Sequence, residues 1–407
     1  MNQTTSRRNL YAAVILAALG YFVDIYDLIL FSIVRMPSLQ GLGVPADQLM
    51  GQGLILINMQ MGGMLLGGVL WGVLGDKKGR LSVLFGSIAL YSLANIANGF
   101  VTNLPAYAVL RFLAGVGLAG ELGAGITLVT ELLPAETRGY GAMIVASVGI
   151  VGGVVAGLVG GWFGWRAAYF VGGGLGLVLL ALRVSVVESG LFAKAQRSDA
   201  PRGDFLMLLR GERFKRYLCC ILLGVPTWYV IGILATFAPE FGRALGMPEI
   251  PMGSTAVMCL YGGCSAGGLA SGWLSQVLRS RRAAAGIFAG ATAALTAVYL
   301  NLHGAALGTF YATCGALGFA TGYWAVFATI ASEQFGTNLR ATAATTVPNF
   351  VRGSLVLVSM AFTALKPARG VLGAAGIVGA VCFALAFAAL AGLRETYGRD
   401  LDYLETV

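Results

Sequence analysis

The chain has 407 residues, of which 57% are hydrophobic and only 11% charged, and its mean hydropathy is +0.79. A soluble domain carries about 25% charged residues, so these values exclude an ordinary soluble enzyme and point to a membrane protein. The formal charge of +9 would suit a nucleic-acid partner, but its placement along the chain assigns it to membrane topology instead.

A membrane span takes about 20 predominantly apolar residues. Twelve stretches qualify in chain order: Leu10–Val34, Gln52–Leu74, Leu81–Val101, Ala106–Leu133, Tyr140–Phe163, Ala167–Val187, Tyr217–Phe241, Ser254–Leu278, Ala283–Leu302, Ala305–Ser332, Thr342–Leu365 and Val371–Leu393. The first follows Arg7 and Arg8, is too long for a signal h-region, and contains Asp24 and Asp27, so it reads as a permanent span. The 60 glycines sit within the apolar stretches, where they let helix backbones approach closely. The six cysteines also fall in these stretches, which implies neither a disulfide framework nor a metal site, and no cofactor is expected.

The connections alternate in charge. One set carries Arg7, Arg8, Lys77, Lys78, Arg80, Arg138, Lys194, Arg197, Arg202, Arg210, Arg213, Lys215, Arg216, Arg279, Arg281, Arg282, Arg340, Arg394 and Arg399; the other carries only Arg35, Arg166, Arg243, Lys366 and Arg369. The positive-inside rule then places both termini in the cytoplasm of a bacterial inner membrane. The expected partners are the lipid bilayer and a small solute, the expected state is a monomer, and nucleic acid is excluded.

The connection Glu188–Arg216 is the longest, and Asp204–Arg213 within it is expected to form a short amphipathic helix on the membrane surface. It divides the chain into an N-terminal six-helix bundle (1–187), a cytoplasmic linker (188–216), and a C-terminal six-helix bundle with a short tail (217–407). The halves repeat. Gly72-Val73-Leu74 is echoed by Gly272-Trp273-Leu274, and the Glu131-to-Arg138 run by Glu333-to-Arg340 at the same spacing. Two parallel six-span repeats with a site between them suit a transporter that rocks around a central solute. The expected fold is therefore an all-α membrane protein of twelve transmembrane helices in two pseudo-symmetric bundles.

Gly72-x-Leu74-x-Asp76-Lys77-Lys78-Gly79-Arg80 resembles the loop signature of the major facilitator superfamily, at the position between spans two and three where that family carries it; in the second half Gln276 stands where the aspartate would be. More narrowly, Gly20-x-x-x-Asp24-x-Tyr26-Asp27-Leu28, Gly120-Glu121-Leu122-Gly123-Ala124, Trp165-Arg166 and Glu188-Ser189-Gly190-Leu191-Phe192 resemble landmarks of its metabolite:proton symporters. Glutamate is usual there at the place of Asp24, and proline at that of Gly190. The resemblance implies proton-coupled transport of a carboxylate, a sugar acid or a zwitterion. It also implies that Asp76, Arg80, Glu131, Arg138, Glu333 and Arg340 gate the cytoplasmic side through ion pairs.

Asp24, Asp27, Arg111, Glu121 and Arg352 lie well inside spans, where each costs about 2.5–3.5 kcal/mol at a helix centre, so they pair, line a wet cavity or work. Asp27 and Arg111 are expected at similar depth, roughly 10 and 8 Å below the outer boundary. They form either a structural ion pair or a proton-coupling site. Asp24 is nearly one turn from Asp27 and is a second proton carrier or a solute contact. Glu121 is a further proton-coupling candidate or a contact on a small-residue face. Arg352 lies near the midplane beside Pro348, which is expected to interrupt the helix, and Asn349. It suits a solute carboxylate, or else a salt bridge to Asp24 or Glu121. Tyr26, Trp228, Tyr229 and Tyr323 complete the candidate solute site.

The chain lacks a phosphate-binding loop, a metal-ligand cluster and a catalytic domain, so no enzyme activity is expected. The function indicated is secondary, proton-coupled symport of a small organic anion. The alternative is proton-driven efflux of drugs or lipophilic cations, although the fifth span, Gly149 to Gly157, lacks the Gly-Pro motif of such exporters.

Overall fold

The computed structural model describes residues 3–78, 80–120, 135–188, 205–398 and 405. All regular structure among them is helical. In lipid a helix satisfies its own backbone polar groups, which an open strand cannot do. Helix α1 is Gln3–Gly41, α2 Leu49–Lys78, α3 Arg80–Asn98 and α4 Leu104–Leu118. Next come α5 Ala135–Glu188, the single turn α6 Phe205–Leu208, and α7 Gly211–Tyr229, which continues as a π-helix over Val230–Ala235. Then follow α8 Ala238–Ala244, α9 Gly253–Val277, α10 Arg281–Leu300, α11 Leu307–Thr321, α12 Trp324–Glu333, α13 Thr337–Gly353 and α14 Leu355–Gly392. Seven stretches of the described residues are long and apolar enough to cross a membrane, so the chain is a multi-pass membrane protein.

Two of the helices are divided by an internal break, and the longer of them far exceeds one span. A straight helix of 54 residues would run about 80 Å, against a hydrocarbon core of about 30 Å. Gly164 divides α5 with φ 79 and ψ 168, and Gly370 divides α14 with φ 67 and ψ 178. Only glycine enters this region without a steric penalty. The structure also corrects two expectations. The helix does not break at Pro348, which α13 carries within it; the discontinuity lies at Ser354, between α13 and α14. In place of one helix over Asp204–Arg213 stand the turn α6 and the start of α7 at Gly211, with Leu206 and Leu209 exposed. Phe205 stacks on Phe350 with ring centroids 6.2 Å apart, and Leu208 is buried.

The helices before residue 188 pack mainly on one another, α1 on α5, α2 on α4, and α3 on both α4 and α5. The later helices do likewise, α9 on α11 and α7 on α14 and α13. The two sets meet where α9 packs on α5 and α1, and where α13 and α14 pack on α2. The close α2–α4 and α9–α11 crossings are built alike. A Cβ on Gly63 would stand 2.1 Å from the Phe112 carbonyl oxygen, and one on Gly67 2.4 Å from that of Val116. The corresponding contacts 200 positions on are Gly263 with the Gly315 oxygen at 2.0 Å and Gly267 with the Phe319 oxygen at 1.9 Å. The repeat seen in the sequence therefore extends to how the backbones touch.

Candidate functional site

Asp24 and Arg352 are among the most deeply buried charges of the bundle, at 0% and 1% exposure. One comes from α1 and the other from the end of α13, so the ion pair joins the early and late sets of helices. Arg352 Nη2 lies 3.5 Å from Asp24 Oδ2. That is long beside the 2.7–2.9 Å of a tight charge-assisted bond. Arg352 Nε and Nη1 make no hydrogen bond among the described residues. Tyr21, one turn before Asp24 on α1, and Tyr261 on α9 are buried within electrostatic range of both charges, and Tyr21 adjoins the Trp324 indole. Asn349, one turn before Arg352, donates Nδ2 to the Ala119 carbonyl at 2.8 Å and to that of Thr345 at 3.1 Å. Its buried Oδ1 has no hydrogen-bond partner among the described residues.

A second ion pair crosses between the two sets nearer the end of α1. Arg35 Nη1 and Nη2 meet Glu240 Oε1 and Oε2 at 2.8 and 2.7 Å, a two-pronged match between planar groups. Arg35 also donates to the Thr236 carbonyl at 3.2 Å and lies 4.2 Å from the centroid of the Phe237 ring. Thr236 donates its hydroxyl to Ser32 at 2.9 Å. Gly53 makes room for the guanidinium, since a Cβ there would stand 2.7 Å from Arg35 Cδ. Eleven residues of helix separate Asp24 from Arg35, so the two pairs lie about 16 Å apart along the axis.

Arg111 donates to Asn95 Oδ1 at 2.5 Å and to Gln60 Oε1 at 3.4 Å, and its guanidinium lies 4.8 Å from the centroid of the Tyr169 ring. The Tyr169 hydroxyl is 2.6 Å from that of Tyr107, which donates to Ser38 Oγ at 3.2 Å. Asp27 and Arg111 both act electrostatically on Tyr169. Asp27 packs on the second arm of α5, where a Cβ at Gly172 would stand 2.1 Å from its Oδ1.

The other sequence candidates divide. Tyr26, Tyr229 and Tyr323 donate their hydroxyls to the carbonyls of Ala168, Ala375 and Leu223 at 3.0, 2.8 and 3.0 Å, and Trp228 is buried nearby. These tyrosines tie helices together within one set. Glu333 faces Arg281 Nε at 3.6 Å, accepts a hydrogen bond from Thr396 at 2.6 Å, and lies within electrostatic range of Arg340. Asp76, Arg80 and Arg138 fall on α2, α3 and α5, but their side chains lie outside the description, as Glu121 and Glu131 do entirely. Among the described residues, no group of His, Cys, Asp and Glu is placed to hold a metal ion.

Residues 10–359 match the model of the Major Facilitator Superfamily. The 3-(3-hydroxy-phenyl)propionate transporter of Escherichia coli K12 is 28% identical over 321 residues, 75% of this chain and 77% of that protein. The niacin transporter NiaP of Acinetobacter baylyi is 37% identical over 131 residues, 31% of this chain and 30% of that protein. The sialic acid transporter NanX of Escherichia coli K12 is 26% identical over 234 residues, 56% of each. The matches to the last two thus span about half or less of those proteins.

Proposed function

Because the chain belongs to the Major Facilitator Superfamily, we propose that it is a proton-coupled symporter of a small organic anion, working by alternating access between the bundles 1–187 and 217–407. That it is a membrane transporter and not an enzyme follows from the family; the solute class, the proton and the site residues are our reading. The relatives named above carry carboxylic acids, which supports an acid as the solute. The proposed setting is the bacterial inner membrane, with both termini cytoplasmic and the monomer as the working unit.

One observation carries the reading: the buried Arg352 guanidinium meets Asp24 at 3.5 Å, and its Nε and Nη1 make no hydrogen bond among the described residues. A guanidinium presents parallel donors that match a carboxylate. The solute acid and Asp24 therefore compete for one cation. Protonating Asp24 releases Arg352, and the solute carboxylate then takes two of its donors. Proton and anion enter together, because either one alone would leave a buried charge without its counter-charge. When both have left, Asp24 and Arg352 pair again and the empty carrier can reorient.

Solute binding to the purified protein and to two variants tests this. Arg352→Lys keeps the charge but loses the fork, and should weaken binding of an organic acid without loss of fold. Arg352→Ala should lose about 2–5 kcal/mol of binding. The neutral amide of the same acid should bind poorly to the native protein and be indifferent to either change. Binding of lipophilic cations in place of acids would overturn the anion reading in favour of proton-driven efflux.

A further inference from the structure

The residues on either side of Arg352 are seated on α7 and its continuation. Val351 and Leu355 are fully buried, and each lies against a glycine there. A Cβ at Gly224 would stand 2.8 Å from Val351 Cγ1, and one at Gly232 would overlap Leu355 Cδ2. The two seats differ in kind. Gly224 lies in regular α-helix, whereas Gly232 lies in the π-helix Val230–Ala235. Leu355 is the first residue of α14, directly beyond the discontinuity at Ser354. Two irregular pieces of backbone therefore meet in one contact, three residues from the guanidinium that meets Asp24.

A π-helix inside an α-helix is a local excess of one residue, and such turns recur at functional sites. Here the Thr236 N–H bonds the Ile231 carbonyl five residues back at 3.1 Å, and the Thr236 hydroxyl reaches the same oxygen at 2.8 Å. Tyr299 on α10 donates to the Leu234 carbonyl at 2.9 Å. Were the segment to re-form as α-helix, every later residue would change register by one, a rotation of about 100° and a shift of about 1.5 Å. Glu240 follows closely, and its two-pronged contact with Arg35 depends on that register.

We propose that Leu355 is a positioning residue that couples Arg352 to the Arg35–Glu240 pair through Gly232. While Asp24 holds Arg352, Leu355 stays seated and the π-helix keeps Glu240 in register. When Asp24 is protonated and lets go, the start of α14 shifts and Leu355 leaves Gly232. The π-helix then converts to α-helix, Glu240 turns from Arg35, and that end opens to the solute. Packed interfaces hold discrete arrangements, so a small shift at one end suffices to exchange one for the other. The proposal rests on the reading above, in which Asp24 and Arg352 part in each cycle. It adds the route by which the parting reaches an ion pair about 16 Å away along α1.

Pulsed electron spin resonance on the full chain tests it, with spin labels at Asp47→Cys and Glu249→Cys after replacement of the native cysteines. Both positions are exposed, one between α1 and α2 and the other between α8 and α9. Asp24→Asn stands in for the protonated acid and requires no solute. It should raise the population with the labels farther apart about tenfold. Adding Leu355→Ala should remove that rise, and Leu355→Val, which leaves a smaller cavity, should act in the same direction if the alanine variant does not fold. Leu355→Met, of similar volume, should keep the rise. Gly232→Ala displaces Leu355 and favours α-helix, so it should separate the labels even with Asp24 intact. A native distance in Asp24→Asn, a rise that survives both Leu355→Ala and Leu355→Val, or a native distance in Gly232→Ala would each overturn the proposal. The solute reading fails separately, through organic-acid binding that Arg352→Lys leaves unchanged.

Discussion

Arg35 is as thoroughly buried as the leucines around it, and Glu240 opposite is 9% exposed. Removing one partner of such a pair leaves a desolvated charge and costs about 3–5 kcal/mol, whereas exchanging both for apolar groups of similar volume is often neutral or stabilising. Glu240→Gln and Arg35→Gln should therefore each lower the thermal midpoint in detergent well below that of the Arg35→Met, Glu240→Leu double variant. Equal midpoints for singles and double would mean that the pair contributes no more than packing. In the sequence both residues stand out as lone charges near span ends, but 205 positions separate them and no spacing rule joins them. Asp24 and Arg352 were legible one by one, and their salt bridge only as one alternative, since Glu121 offered a second acid and a solute carboxylate a third partner. The aromatics were ambiguous in a different way. A tyrosine in a span looks the same whether its hydroxyl faces a cavity or a carbonyl, and Tyr26, Tyr229 and Tyr323 face carbonyls. Tyr21 had a usable signal in its one-turn spacing from Asp24. At Asp27, packed on the second arm of α5, Asp27→Asn should abolish uphill, proton-driven uptake while leaving counterflow exchange partly intact. Normal uphill uptake with unchanged pH dependence would remove Asp27 from the coupling scheme.

Helix-to-helix contact is where the glycines act. Gly63 and Gly263 each touch a backbone oxygen across a crossing, while a Cβ added at Gly62 or Gly262 would meet nothing within 4 Å. Overpacking a backbone contact costs about 1–3 kcal/mol. Gly63→Ala and Gly263→Ala should lower the unfolding midpoint, and Gly62→Ala and Gly262→Ala should leave it equal or raise it through better helix propensity. A like effect at all four positions would mean that propensity, not contact, decides. The sequence showed the 200-residue repeat but not this pairing, because glycine is frequent on every face. The breaks at Gly164 and Gly370 were legible, since they fall where one apolar stretch ends and the next begins, between Phe163 and Ala167 and between Leu365 and Val371. Pro348 was a false signal, since a membrane helix tolerates proline when neighbours satisfy the freed carbonyl. Beyond the last span, Glu395 caps the first turn of α10. Partial burial raises its pKa, but hydrogen bonds from Ser280 and from the N–H groups of Tyr397, Arg281 and Arg282 outweigh that and hold it at about 2. Its contribution should be complete above the ordinary carboxylate value of 4.5 and fade as pH falls from there towards 2. Glu395→Gln should cost roughly 0.5–2 kcal/mol at neutral pH, as the loss of a helix cap does. The gap to the native protein should close on acidification, and a gap independent of pH would assign the effect to shape rather than charge.

Across the whole molecule, the two ion pairs sit at different depths between the same two sets of helices. If the sets rock around Arg352, the Arg35 end must part for the solute to reach the site from that side, and the Arg35–Glu240 pair opposes the parting. An open state would hydrate both charges, so the pair holds that end closed by the difference between its buried strength and its hydrated one. Each 1.4 kcal/mol removed from that difference shifts the population tenfold. Ser32 and Thr236 give a local reading, because their hydroxyls meet at 2.9 Å in the same interface and both are buried. With the native cysteines replaced, Ser32→Cys should react slowly with a membrane-impermeant maleimide while the Arg35–Glu240 pair is present. Adding Glu240→Gln should speed labelling by about tenfold or more, from one side of the membrane only. That side would also fix the orientation of α1, which is expected to place Arg35 on the outer face. An organic acid that binds at Arg352 should alter the labelling rate further, since a ligand shifts the equilibrium between two states only by its differential affinity for them. Unchanged labelling in an intact Glu240→Gln protein would show that the pair stabilises the bundle without holding its end closed.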